Sequence, residues 1–448
     1  MPPRNRQLRT RSPIELSVSG YKAVRERQSI TLAPLTLIAG ANSSGKSSFM
    51  QPFLMMKQTL DSAFDPGPML LYGANVKVTD HLQIFSRGKS KHDVVNEFQV
   101  GMAQGNDRRE VSFESSTTGS LRIKRDSVWV EKERVDLTEN LTPALRKRLT
   151  RVSAKRSASL ERIFSERRGS FDMTPRIVRN RCFLEPSIVV SGSDDDRFIT
   201  SWDVIPNTDN SWAVRFLRGI IHVPGLRGNP ERAYQRSATG DTYPGTFEIY
   251  VASIILQWVE KEAHELARLA ADLEQIGLTW KVVARRLNDA SIELMVGRMP
   301  HAQQGGAHDL VNVADVGFGV SQTLPVLVAL LAARPGQVVY IEQPEIHLHP
   351  RAQLALADSL VRAARRGVIV VAETHSSLVI RGVQIAIARQ ELSSNLVSMN
   401  WFNRDSITGA QQVTKAVLDA EGRFGEWPVD FDEVMQEADW AYIEASEE

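Results

Sequence analysis

The chain has 448 residues, 42% hydrophobic and 24% charged, with Lys+Arg 54 against Asp+Glu 53 for a net charge of +1. These values exclude wholesale disorder, a single small module and a uniformly basic nucleic-acid coat. The single cysteine, Cys182, excludes an internal disulfide framework and a Cys-built metal centre within one chain, and it reads as a buried small hydrophobe.

From Ile14 to Ile38 the chain alternates in short pieces that read as strands, with Leu16, Val18 and Tyr21 in the first and Leu35, Leu37 and Ile38 in the last. Tyr21 reads as a core aromatic, with contact to a nucleotide base as the alternative. A Gly/Ser-rich turn from Gly40 to Ser48 then leads into Phe49–Leu60, whose apolar spacing predicts a helix. Within the turn, Gly40-Ala41-Asn42-Ser43-Ser44-Gly45-Lys46-Ser47 fits G-x-x-x-x-G-K-[ST] between an apolar strand and a helix. The glycines let backbone wrap around phosphates, the backbone N–H groups and the helix start donate to them, Lys46 reaches the β/γ-phosphates, and Ser47 ligates Mg²⁺. Gly40, Asn42, Ser43, Ser44, Gly45, Lys46, Ser47 and Ser48 are the candidate contacts. Gln51, Gln58 and Gln83 all remain open as a further Mg²⁺-contacting glutamine.

From about Val76 to Ile220 the pattern changes to short alternating pieces (Phe98–Met102, Ser120–Ile123, Val128–Val130) around a basic stretch, which reads as an insertion. Between Leu141 and Arg168 stand nine basic residues, among them Arg146, Lys147, Arg148, Arg151, Lys155 and Arg156, against only Glu161 and Glu166. Those six are the candidate nucleic-acid contacts; a solvated basic face is the equal alternative. With Phe164 the one aromatic there, base stacking and sequence readout are not expected. The acidic run Asp194-Asp195-Asp196 reads as an exposed loop.

The second half opens with Leu226-Arg227-Gly228-Asn229-Pro230-Glu231-Arg232, a structural turn or a phosphate contact through Arg227 or Arg232. A helical run is expected from Phe247 to Leu287 with a break near Gly277, then a strand Ile292–Val296. Asp315-Val316-Gly317-Phe318-Gly319-Val320-Ser321-Gln322 reads as a Gly-rich turn opening a helix Thr323–Ala333. Val338–Ile341 is a buried strand ending in Glu342-Gln343-Pro344-Glu345, the form of an acidic strand end that holds Mg²⁺ or water. A helix Arg351–Arg366 and a strand Val368–Ala372 follow, the strand ending in Glu373-Thr374-His375-Ser376, where His375 is placed to sense a γ-phosphate. His347 and His349 are expected to pack rather than ligate metal, since i, i+2 spacing does not share a helix face.

In this order GANSSGKSS, DVGFGVSQTLPVL, YIEQPEIHLHP and ETHSS resemble the ABC-type ATPase heads of the SMC/RecF/OLD superfamily. More narrowly they resemble prokaryotic AAA ATPases with EQPE-x-HLHP and a short C-terminal domain, whose G-x-x-x-x-WP-x-x-F ending is similar to Gly422–Phe431. The resemblance covers Ile14 to about Leu60 and His222 to Phe431. It implies an α/β P-loop NTPase of ABC-head type, with a mixed β core and an inserted α+β arm. Residues 1–75 and 220–400 would form the head, 76–219 the insertion and 401–448 an acidic tail. It implies ATP and Mg²⁺ as ligands, with Lys46, Glu342, Glu345 and His375 as catalytic residues and Ser47 and Glu342 at the metal. Gly319, Ser321 and Gln322 would approach the γ-phosphate of a second copy, giving an ATP-dependent head dimer.

Related heads carry Asp-Glu where this chain has Glu342-Gln343, and an amide cannot act as general base. The expectation is therefore slow hydrolysis, or else Glu342 or Glu345 taking the role from a slightly shifted position. The resemblance further implies a sensor or scaffold for a separate effector such as a nuclease, in anti-phage defence. The alternatives are a RecF-like DNA-binding ATPase and a non-hydrolysing ATP-bound scaffold. No apolar run spans a bilayer, and the Arg-rich start (Arg4, Arg6, Arg9, Arg11) lacks an apolar segment behind it, so the expected place is the cytoplasm without a membrane partner.

Overall fold

The computed structural model describes residues 12–42, 44–88, 90, 93–116, 120–130, 132–145, 147, 172–191, 197–201, 211–299, 309–405, 407–425, 440–441 and 443–445. The first third contributes β1 (Ile14–Ser19), β2 (Gln28–Leu32), β3 (Leu35–Ala39), α1 (Lys46–Asp61), β4 (Glu97–Gln104), β5 (Asp107–Ser115), β6 (Leu121–Val130) and β7 (Glu133–Leu137). Next come β8 (Asp172–Asn180), β9 (Phe183–Ser191), β10 (Arg197–Ser201), α2 (Trp212–Gly219), β11 (Ile221–Val223) and β12 (Tyr234–Gln235). The remainder holds α3 (Val251–Glu260), α4 (His264–Ile276), β13 (Val282–Arg286), β14 (Ser291–Gly297), β15 (Leu310–Asn312), α5 (Phe318–Ala332) and β16 (Val338–Glu342). It closes with α6 (Pro350–Arg365), β17 (Ile369–Thr374), α7 (Ser377–Ala388), β18 (Val397–Arg404) and β19 (Gln411–Ala416).

The central sheet runs β11-β16-β17-β3-β18-β19, parallel except for β19. Its strands are nearly continuous apolar runs because both faces are covered, and the period of two sends alternate side chains into different cores. Leu35, Leu37, Val339, Ile341, Val370 and Ala372 enter one core with α3, α4, α5 and α6. Ile38, Val338, Tyr340 and Val371 enter the other, with α1, α2 and the N-terminal antiparallel sheet. The fold is a mixed α/β architecture with helices on both faces of a mostly parallel sheet.

That antiparallel sheet, β2-β1-β4-β5-β6-β7, joins both sides of the expected insertion boundary: β4 pairs with β1 from Ile14↔Gln104 to Ser19↔Gln99. Residues 97–137 are therefore one layer with the N-terminal strands, and 76 is not a break in the fold. The boundary expected at 401 is also corrected, because β18 and β19 complete the central sheet. A third correction concerns Phe247–Leu287: the helices stop at Ile276, and Val282–Arg286 is a strand paired with β14. Val282 and Ala284 are buried at alternating positions, and Asn288 turns the hairpin by accepting from Ala290 N–H at 2.9 Å; two-residue alternation outweighs the helical pattern there.

The far end of α1 is held by arginines from two other elements. Arg181, in the β8–β9 turn, donates to the carbonyls of Thr59 (2.7 Å), Leu60 (3.1 Å) and Ser62 (2.6 Å), and Arg218 of α2 donates to Leu60 O at 3.1 Å. Cys182 beside that turn is buried, as expected. The WP ending, the Asp194–Asp196 run and all the candidate nucleic-acid residues except Lys147 lie outside the described residues; Lys147 is exposed.

Candidate functional site

β3 delivers the chain to the loop at the carboxyl end of the central sheet. Gly40 has φ 150°, and a Cβ on it would lie 2.2 Å from the Phe402 carbonyl oxygen. Gly45 precedes α1 at φ 88°, where a Cβ would lie 2.6 Å from Gln411 Oε1. Only glycine fills either place. Lys46 opens α1, and its ammonium donates to Gly40 O (2.9 Å), Ala41 O (2.7 Å) and Ser44 Oγ (3.3 Å), which holds the charge within the loop. Burial draws the Lys46 ammonium below its ordinary value, opposed by the charges of Glu373 and Glu345. Asn42 is exposed, Ser47 and Ser48 are half-buried, and Ser43 lies outside the described residues.

Parallel pairing sets Glu342 of β16 opposite Glu373 of β17, and Glu373 opposite Ile38 of β3. Ser47 Oγ donates to Glu373 Oε1 at 2.8 Å, and the buried Tyr340 hydroxyl donates to Glu373 Oε2 at 2.8 Å. Burial raises the Glu373 carboxyl, as does Glu342, against lowering by Ser47, Tyr340 and Lys46. Glu342 faces other partners: His222 Nε2 lies 3.1 Å from its Oε1, and Gly225 N–H donates to its Oε2 at 3.1 Å. Asn75 Nδ2 donates to Gly245 O at 2.9 Å and sits 3.0 Å from His222 Nδ1. An amide nitrogen can only donate, so neutral His222 carries its proton on Nε2 and gives it to Glu342. The Glu342 carboxyl is lowered in consequence, burial opposing.

Glu345 is 9% exposed; its Oε1 accepts the His375 N–H at 2.8 Å and its Oε2 is buried without a partner. Burial pushes its carboxyl up. His375 follows β17 directly, and burial together with Lys46 lowers its imidazole, against a hydrogen bond to the Gly40 backbone. The loop, Glu345 and His375 are thus one cluster. Gln343 stands at φ 45° with its N–H on Glu373 O at 2.7 Å.

The Gly-rich turn expected at Asp315–Gln322 is already helix from Phe318, with Gly317 as its cap. Gly319 and Ser321 are partly exposed on the first turn, and Ser321 Oγ donates to Phe318 O at 3.1 Å. Gln322 corrects the expectation of a contact to a second copy: it is 4% exposed, and its amide donates to the carbonyls of Arg227 (3.3 Å) and Gly228 (3.2 Å). Arg227 is likewise turned inward, 7% exposed, donating to Gln322 O (3.0 Å), Glu342 O (2.9 Å) and Gln343 O (3.2 Å). Arg232 pairs with Asp315 at 2.6 Å. Arg227 is therefore a strut of the turn, and Arg232 is exposed beside Asp315. His349 caps α6 and His347 lies against Phe318, and among the described residues no cluster of three or more His, Cys, Asp or Glu is placed to hold a metal.

A cleft of about 580 Å³ adjoins the loop, lined by Lys22, Arg25, Gln83, Ser86, Arg404 and Thr408 among others. Ala23 at its wall would sit 3.1 Å from a Gly45 Cβ, and both amide atoms of buried Gln411 beside that glycine lack partners. Tyr21 is fully buried, donating to Gln51 Oε1 at 3.2 Å, so it is a core aromatic. Gln51 also accepts from Lys22, and Gln58 is spent on Leu70 O and Val76 O; of the three glutamines Gln83 alone lines the cleft. Sequence reasoning missed Glu373, Tyr340, His222 and Asn75; the acid at the end of the second strand was the available signal.

The donor set fits a magnesium nucleotide: a glycine-built anion cradle, an ammonium inside it, and a hydroxyl beside carboxylates. A family model described as AAA domain, putative AbiEii toxin, Type IV TA system matches residues 35–381. No curated protein matches the chain. Among solved structures it is similar to an Smc head bound to the C-winged helix domain of ScpA (11% identity, 91% of this chain and 98% of that one, TM-score 0.46). An Smc head with coiled coil and joint from Pyrococcus yayanosii gives 10%, 96% and 100%, TM-score 0.45. The SMC head from Thermotoga maritima gives 8%, 90% and 98%, TM-score 0.38.

Proposed function

Because the chain belongs to the AAA domain family of P-loop ATPases matched over residues 35–381, we propose that it binds Mg-ATP in the Gly40–Ser48 loop and hydrolyses it slowly. The observation that carries this reading is Lys46 held by three loop oxygens while Ser47, Glu345 and His375 converge on the same loop. Asn42, Ser44, Gly45, Lys46, Ser47 and Ser48 would hold the phosphates, and the cleft with Lys22, Arg25 and Arg404 would take the base and ribose. Ser47 would hold the Mg²⁺, which when bound supplies charge neutralisation at the phosphates.

Within this chain, Gln343 leaves the usual base position to an amide, so water must be oriented by another group. Glu345, buried beside the loop with one oxygen on the His375 backbone N–H, would do so. Gly319 and Ser321, partly exposed on the first turn of α5, would meet the nucleotide of a second copy, giving a head dimer that signals nucleotide state to an effector. The family description, putative AbiEii toxin and Type IV TA system, supports a place in defence. Among the described residues no helix is long and apolar enough to cross a membrane.

A second reading rests on Gln343 alone: an ATP-bound scaffold that does not turn over. Phosphate release and assembly mass, measured together with Mg-ATP for the wild type, Lys46→Ala, Glu345→Gln and Ser321→Arg, decide between them. Slow release abolished in Lys46→Ala and Glu345→Gln supports hydrolysis, and ATP-dependent dimerisation lost in Ser321→Arg supports the head dimer. Release equal to that of Lys46→Ala with ATP tightly bound supports the scaffold, and no ATP binding refutes both.

A further inference from the structure

The acid best placed to work with Ser47 is not at the end of the first acidic strand. In the sheet order β16-β17-β3, β17 lies between the acidic strand end and the strand that leads into the phosphate loop. Neighbouring strands are about 4.8 Å apart, so Glu373 stands one spacing from β3 and Glu342 two. The hydrogen bonds follow that order: Glu373 Oε1 accepts from Ser47 Oγ at 2.8 Å. Glu342 leans toward β11, on the other side of β16, where His222 and Gly225 occupy both of its oxygens at 3.1 Å. His222 cannot release it readily, because Asn75 fixes the imidazole tautomer and Tyr340 stacks on the ring at 5.5 Å and 14°.

We infer that Glu373, rather than Glu342, is the carboxylate that holds Ser47 and completes the protein's share of the Mg²⁺ shell of bound Mg-ATP. The inference rests on the ATP reading of this site and gives a role to a residue that the sequence reading left without one. A serine hydroxyl that donates its proton to a carboxylate keeps its lone pairs for a hard cation, and the carboxylate fixes the rotamer. Tyr340 completes the arrangement: its hydroxyl at 2.8 Å from Oε2 fixes the carboxylate from below, out of the core. Glu342 then acts at longer range, as a charge held in place by His222.

The test is equilibrium binding of a fluorescent ATP analogue to the full chain, in excess EDTA and in saturating Mg²⁺, for the wild type, Glu373→Gln and Glu342→Gln. The quantity read is the ratio of the two Kd values. Glu373→Gln is expected to bind the metal-free analogue at least as well as the wild type, having lost a negative charge, while its Mg²⁺ gain falls about 10-fold or more. Glu342→Gln is expected to lose less of the gain than Glu373→Gln. A larger loss in Glu342→Gln, or an undiminished gain in Glu373→Gln, overturns the assignment. A wild type that binds the analogue with no Mg²⁺ gain overturns the assignment and leaves the nucleotide site standing; one that does not bind it at all overturns both. If Glu373→Gln does not fold, Glu373→Asp carries the same test: its carboxylate falls one methylene short of Ser47, so loss of the gain supports the assignment and full retention overturns it.

Discussion

Replacing Arg227 by methionine removes the guanidinium that ties the end of β16 to the first turn of α5. Three carbonyls, of Gln322, Glu342 and Gln343, lose charged donors at 3.0, 2.9 and 3.2 Å. At about 1 kcal/mol for each buried acceptor left unpaired, local opening becomes easier by about 3 kcal/mol. Burial lowers the Arg227 guanidinium to about 10, with Glu248, Glu345 and Glu342 opposing, so it is charged at neutral pH and those acids lose a nearby cation as well. A chain of this size does not unfold as one unit, so the assay is amide hydrogen exchange in peptides covering residues 318–330 and 338–348. At about 1.4 kcal/mol per decade, protection in both peptides should fall about 100-fold. Arg227→Lys, with one nitrogen in place of a fork, should lie between the two. Protection within about threefold of the wild type in Arg227→Met, a difference of roughly 0.6 kcal/mol, would refute the strut.

Asp126 is fully buried and accepts from Arg109 Nε (3.0 Å), Arg109 Nη2 (2.6 Å) and Leu184 N–H (2.9 Å); Asp126→Ala should destabilise the β5–β6 layer by about 3–5 kcal/mol, seen as lost amide protection in peptides covering β5 and β6. Burial pushes the Cys182 thiol up to about 12, so it should resist thiol reagents in the native protein at mildly alkaline pH and react fully once unfolded; rapid native labelling would contradict its place in the core. At Gly382 a Cβ would stand 2.4 Å from Ala357 Cβ, and Gly382→Val should lower Tm through about 1–3 kcal/mol of overpacking between α6 and α7. An unchanged Tm would show that those helices do not meet there.

The parallel strands were legible because β3, β16 and β17 are buried on both faces and write apolar runs, each followed by a chemical signature. The phosphate loop was legible because its glycines are demanded by backbone geometry that no other residue satisfies. The union of β1 with β4 was not, since Ile14 and its partner Gln104 lie far apart in the chain and pairing partners leave no local trace. Val282–Arg286 read as helix because five residues are too few to separate the two periods. Glu373 passed unmarked for a different reason: its importance comes from the order of strands in the sheet, and that order is a property of the whole chain. The inward turn of Gln322 is likewise set by the distant Arg227–Gly228 carbonyls.

The helix that starts at the phosphate loop ends in the grip of Arg181 and Arg218. At 1.5 Å per residue its 16 residues make a rod of about 24 Å, much stiffer along its axis than the loops at either end. A push on the β8–β9 turn therefore has two outlets: it stretches those hydrogen bonds, or it travels down the rod and shifts Lys46. The two ends of α1 thus answer to different parts of the chain, the near one to the phosphate loop and the far one to four hydrogen bonds from Arg181 and Arg218 to carbonyl oxygens.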